Sequence, residues 1–254
     1  MNRVKTIAYN TYLETIRDRI LYVFVTFAIL LIVSSLVLGS ISLDQDVKII
    51  KDFGLAGIFF FGVLIAIFVG ANSIHKEKDK RTIYIILSKP IKYWEFVLGK
   101  FLGLCLTLAV VTALMTVIFL VVVSFKTRSF ELLLLEAIAF QYLELILLVA
   151  IVIAFSSFTS PISASIYTIC LFIIGHSSSI ISQIIAKSSN IVLTKSLSAV
   201  YYTFPNLEKF NLKTNAVFGI SLNGTDAIYT VLYGLFYIAL MITLATFILR
   251  KQEF

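Results

Sequence analysis

Charge is what this sequence has least of. Asp, Glu, Lys and Arg make up 14% of its 254 residues, against about 25% in a soluble globular domain. With 59% hydrophobic residues and a mean hydropathy of +1.00, that scarcity excludes a water-soluble protein. Cysteine is scarce too. Cys105 and Cys170 each lie inside an apolar run, where they are small buried hydrophobes and not a disulfide or metal framework. A phosphate-binding loop is missing: the only Gly-Lys pair, Gly99-Lys100, is followed by Phe101, and Trp94 stands where the leading glycine belongs, so no backbone cradle for a nucleotide forms. HExxH, CxxC and Gly-x-Ser-x-Gly patterns are absent as well. No cofactor or metal is therefore expected in this chain, and any ATP and its Mg must be bound by another.

What is there is apolar and continuous. A helix needs about 20 apolar residues to cross hydrocarbon, and six segments supply them, at about 21–41, 53–74, 96–124, 132–155, 162–185 and 227–249. They lack the period-two alternation of barrel strands. The longest polar interruption, 186–226, is too short for a core of its own. The expected fold is all-α: one polytopic membrane domain over 1–254, with an outer loop at 186–226 and a cytoplasmic loop at 75–95.

Orientation follows from Lys and Arg. With the N-terminus inside, thirteen basic residues fall on the cytoplasmic side and eight outside, while the acids divide evenly, as the positive-inside rule requires. The formal net charge of +7 then reports topology and contact with anionic lipid, not nucleic acid. The first apolar run is too long for the core of a signal peptide, so it is expected to be an uncleaved span. Before it, Val4, Ala8, Tyr12, Ile16 and Ile20 recur every four positions, with Ile7 beside them. That spacing predicts an amphipathic helix over 1–19 lying in the cytoplasmic interface.

Polar groups at membrane depth are the candidate chemistry. Glu144 stands deep in the fourth span and Glu136 eight positions earlier, about 80° away on the helical wheel. A carboxylate there faces protein or water; it serves a pathway, or it joins Gln141 and Tyr142 in holding helices together. The structural role is favoured for Glu136. In the fifth span, Gly175, His176, Ser177, Ser178 and Ser179 interrupt the lipid-facing pattern, which predicts a kink, a helix contact or the wall of a hydrated cavity. The sequon Asn223-Gly224-Thr225 matters only in a secretory pathway that nothing else indicates.

Between spans two and three runs IHKEKDKRTIYIILSKPIKYWE, residues 74–95. Its charges surround an apolar stub, IYIIL, too short to cross a bilayer. The order Glu77, Thr82, Leu87, Ser88, Pro90, Ile91, Lys92, Glu95, Gly99, Lys100 resembles the segment after the second span in permeases of the type-2 ABC transporter family. Arg81 departs from it, standing where glycine is usual. The amphipathic N-terminal helix, the uncharged turn FSSFTSP at 155–161 and the phrase FPNLEKFNLK at 204–213 fit the same family over essentially the whole chain.

The resemblance implies a transmembrane subunit of a bacterial ABC exporter in the cytoplasmic membrane, both termini inside. It would pair with a second permease copy and dock two copies of a separate ATPase; an accessory protein outside the membrane also belongs among the expected partners. The N-terminal segment would be an elbow helix. Residues 75–95, with Glu77, Arg81, Thr82, Leu87, Ser88, Pro90, Lys92 and Glu95, would be the coupling element. A plainer reading makes the loop a basic flap on anionic lipid, anchored by Tyr93 and Trp94. Two other functions stay open: an intramembrane hydrolase or transferase using Glu144 and His176, and a non-transporting anchor of a complex.

Overall fold

The computed structural model of the protein describes residues 2–41, 46–79, 92–128, 131–188 and 190–251. Among them every regular element is a helix. The apolar runs give α2 (Arg19–Ile41), α3 (Asp46–Asp79), α4 (Tyr93–Thr127), α5 (Leu132–Ser156) and, last in the chain, α10 (Gly224–Lys251). Each carries a stretch long and apolar enough to cross a bilayer. In hydrocarbon such runs must be helical, because a helix pairs its N–H and C=O groups within one segment.

The remaining elements are α1 (Asn2–Ile16), α6 (Pro161–His176), α7 (Ser178–Lys187), α8 (Ile191–Thr203), a 3₁₀ turn at Leu207–Phe210 and α9 (Lys213–Phe218). Ser160 opens α6 by accepting the Ser163 N–H at 3.4 Å, and Pro161 follows at the first helical position, where a missing N–H costs nothing. Sixteen residues later, after about 24 Å, the helix stops. It meets α7 across a 53° bend at Ser177. The expected fifth span is thus two helices, broken at the run of small polar residues where a kink was expected. This is a multi-pass membrane protein; among the described residues five helices are of span length, or six where the bent pair counts as one.

The centre is α5. Leu147, Leu148, Ala150, Ile151, Val152 and Ile153 are fully buried, with α3, α4, α6 and α10 packed around them. Lipid tails are as apolar as leucine, so fit and polar contacts hold such helices together, not expulsion from water. On α3, a Cβ at Gly62 would lie 2.6 Å from Leu145 Cδ1, and one at Gly70 would overlap Val152. These glycines lie about two turns apart on one face, so α5 side chains press against the bare α3 backbone. Ser156 Oγ closes the seam by donating to the Ala71 carbonyl at 2.8 Å.

Ion pairs collect at the two ends of α3. Lys51 meets Glu131 at 2.6 Å, Lys126 meets Asp46 and Lys213 meets Asp52, both at 3.0 Å. At the other end Lys76 meets Asp18 and Lys100 meets Glu77, both at 3.0 Å. From Asp52 to Lys76 the helix rises about 36 Å, which brackets a hydrocarbon core of about 30 Å.

Two sequence expectations are corrected. The face that α1 buries is Val4, Thr11 and Thr15, whereas Ile20 lies beyond the helix and is 44% exposed. The partner surface explains the change: a Cβ on Gly99 of α4 would sit 2.6 Å from Ile7 Cγ2, and one on Gly103 would sit 2.6 Å from the Ala8 carbonyl. Threonine fits where helices come that close, and tyrosine does not. The second correction concerns 186–226, which is largely helical and returns to the bundle. Leu207 and Phe210 are fully buried, and the Asn206 N–H donates to the Tyr233 hydroxyl at 2.7 Å.

Candidate functional site

Because α6 stops short, its end leaves a hollow between α3 and α5 that the returning segment only partly fills. The result is a cavity of about 340 Å³ lined by Ala56, Phe59 and Phe60 of α3, Gln141 and Glu144 of α5, Phe172 and His176 of α6, and Asn211 and Lys213. Glu144 is the middle residue of α5 and has no exposed surface.

His176 joins two carboxylates. Its Nε2 lies 2.7 Å from Glu144 Oε1 and its Nδ1 lies 3.1 Å from Glu208 Oε2, while Asn211 Nδ2 donates to Glu208 Oε1 at 3.1 Å. Gly175 makes this possible. A Cβ there would lie 2.6 Å from Leu207 Cγ and 2.9 Å from the Pro205 carbonyl, so only glycine lets the 205–208 segment close over the ring. Phe172 and Phe59 meet the imidazole at steep angles, with centroids 4.6 and 5.8 Å away.

A carboxylate only accepts hydrogen bonds, whereas a neutral imidazole has one donor and an imidazolium two. Two carboxylates on one ring therefore imply either a charged ring between two ionised carboxylates, or a neutral ring with one carboxyl holding the proton. Both of these states carry one net negative charge, and a further proton on Glu144 Oε2 would neutralise the set. Two acceptors are left over: Glu144 Oε2 and Gln141 Oε1, one helical turn apart, have no hydrogen-bond partner among the described residues. An unpaired buried polar atom costs about 1–3 kcal/mol. At the rim, Lys213 Nζ is 3.0 Å from Asp52 Oδ1.

Of the three depth residues marked in the sequence, Glu144 and His176 come together and Glu136 does not. Glu136 lies about 12 Å nearer the N-terminal end of α5 and lines a separate small cleft with Leu133, Leu212 and Ala216. Glu208 was missed. It sits inside the phrase FPNLEKFNLK, but a single acid in a polar stretch carries no signal of its partner. Among the described residues no group of three or more His, Cys, Asp or Glu is arranged to hold a metal ion.

The second candidate site lies where α3 ends and α4 begins. Arg81, Thr82, Leu87, Ser88 and Pro90 lie outside the described residues. Glu95 accepts the Lys92 N–H at 2.9 Å, an acidic residue in the first turn of α4 where the helix dipole favours it. Glu77 binds Lys100, which is 3% exposed and also lies 3.7 Å from Glu14. One lysine thus ties α1, α3 and α4 together at the base of the 80–91 segment. The sequence marked Lys100 as part of the family-like order but gave no sign that it joins three helices. Nearby, burial pushes the Asp18 carboxyl up, but the Ile20 N–H and the Lys76 ammonium outweigh it and hold the group below its ordinary value.

Comparison with known proteins adds the last observation. A family model described as "ABC-2 family transporter protein" matches residues 5–254. No curated protein matches the sequence significantly.

Proposed function

Because the chain belongs to the ABC-2 transporter family, we propose that it is the permease half of an ABC exporter in a bacterial cytoplasmic membrane, with both termini inside. Membership makes it a membrane subunit that works with an ABC ATPase, not an enzyme in itself. The finer reading is ours. Two copies pair, each docks one ATPase subunit, and residues 75–95 carry the coupling, with Glu77, Arg81, Thr82, Leu87, Ser88, Pro90, Lys92 and Glu95 at the contact. The whole of 1–254 acts as one transmembrane domain, α1 is its elbow helix, and α6 with α7 is a sixth, broken span. Glu144 and His176 line the substrate path.

One observation carries the coupling. The two helices that lead into and out of the 80–91 segment are joined by the Lys100–Glu77 contact, and Glu14 brings α1 to the same lysine. A partner that moves this segment pulls on three helices together, which a lipid-resting flap has no need to do. Energy from ATP closure reaches a membrane domain only through such a stiff, two-state contact.

The test is co-purification. The tagged chain, expressed with the product of a neighbouring gene that encodes a P-loop ATPase, should yield a complex with equal numbers of both subunits by native mass spectrometry, two of each. Replacing Leu87 and Ile86 with Asp should dissociate the ATPase while leaving the membrane dimer intact. Complex formation that survives this change rules out the coupling role. Transport in inside-out vesicles gives direction: ATP-driven accumulation marks an exporter, and ATP-driven loss an importer.

A further inference from the structure

We infer that the cavity beside Glu144 is a binding site for a cationic group with N–H donors, an amine or ammonium carried by a soluble molecule or by a lipid head group. Calling that molecule a substrate rests on the transporter reading above; the binding itself does not.

The lining specifies the chemistry. Glu144 Oε2 and Gln141 Oε1 are both acceptors, both buried and both unpartnered among the described residues. Their residues stand one turn apart on the same face of α5 and both line the cavity, so a single group with two or more N–H donors can satisfy them together. Glu144 is held for the task. His176 occupies Oε1 at 2.7 Å, which fixes the carboxylate plane and leaves Oε2 free.

Charge decides against other ligands. With Glu144 Oε2 unprotonated the Glu144–His176–Glu208 set is negative by one, and Lys213, the lysine in the cavity lining, is engaged by Asp52 at 3.0 Å. An anion would be repelled at low dielectric. A neutral hydroxyl would pair an acceptor but leave the charge buried and uncompensated, which is the costly part. The rings of Phe59, Phe60 and Phe172 in the same wall complete a setting in which a cation gains further from aromatic faces. At about 340 Å³ the cavity falls at the small end of ligand pockets, the size of a compact organic cation or one head group.

The test uses the full-length chain in nanodiscs of phosphatidylglycerol, with benzylammonium as the probe and calorimetric titration as the readout. Benzyltrimethylammonium has the charge without N–H donors, benzyl alcohol has a donor without charge, and benzoate has the opposite charge. Benzylammonium should bind saturably and at least about tenfold more tightly than any of the three, the scale of one charge-assisted hydrogen bond. Glu144→Gln should weaken it at least about tenfold. Gln141→Glu should strengthen it and Gln141→Leu weaken it, and these opposite signs carry the test if Glu144→Gln does not fold. Including phosphatidylethanolamine in the disc separates the sources: competition identifies a lipid head group, and its absence identifies a soluble amine. Equal binding of any of the three control compounds, unchanged binding in both Glu144→Gln and Gln141→Leu, or no saturable binding overturns the proposal. No ATPase is present in this experiment, so its failure leaves the coupling reading untouched, and loss of ATPase docking leaves this titration untouched.

Discussion

Glu208 Oε2 lies 3.1 Å from Nδ1 of His176, joining the turn at Leu207–Phe210 to the last residue of α6. The contact holds the 205–208 segment against the cavity residue His176 and depends on the bare backbone at Gly175.

Gly175→Val should break that closure. The new side chain meets Leu207 and the Pro205 carbonyl, and backbone cannot give as a flexible side chain would. The 204–210 segment is expected to lift away, exposing Leu207 and Phe210. Limited proteolysis in detergent should then cut within 188–222 at least several-fold faster than in the unaltered protein, with a loss of about 1–3 kcal/mol in stability.

Lys100→Met keeps the side-chain volume and removes the charge that joins three helices. Glu77 and Glu14 each lose this partner, but both are partly exposed, and Glu14 keeps Lys76 at 3.9 Å, so the cost should be about 1–3 kcal/mol and below the figure for a wholly buried pair. A lower Tm in detergent, together with faster proteolysis in the 80–91 segment, is the expected result.

Gly103→Val tests the docking of α1. Its Cβ would strike the Ala8 carbonyl and Thr11, so α1 should detach from α4 while the rest of the bundle holds. A disulfide engineered between α1 and α4 should form in the unaltered background and fail in this one.

Acid should act on Asp18. Its folded-state carboxyl lies below the ordinary value of 3.8, so the stabilisation it gives is present above about pH 4 and is lost as pH falls through the lowered value. Asp18→Asn should cost less than about 1 kcal/mol at pH 7, since Lys76 is partly exposed. That difference should shrink as pH falls below about 4 and through the lowered value. Paired thermal melts from pH 3 to 7 show it as two curves that converge at the acid end.

The spans were legible because continuous apolar runs leave hydrocarbon little choice but helix, and the polar exceptions Glu144 and His176 stood out against them. Their partnership was not legible. They occupy different helices, and nothing in one sequence says which faces meet. Glu208 was hidden for the opposite reason: in a polar stretch an acid has no contrast. The face of α1 was misread because Thr11 and Thr15 look polar, and their burial follows from Gly99 and Gly103 on another helix. Residues 186–226 read as a loop because they form the longest polar interruption in the chain, yet Leu207, Phe210 and Leu212 within them are buried.

The ion pairs at both ends of α3 limit how that helix can move. A rod whose charged ends sit in the two head-group layers cannot slide along the membrane normal without dragging lysines and acids into hydrocarbon. Its rotation is checked too, because Gly62 and Gly70 are seated against Leu145 and Val152 and the ion pairs fix which way each end faces. Phe59 and Phe60 are thereby held at the cavity on a strut braced at both ends.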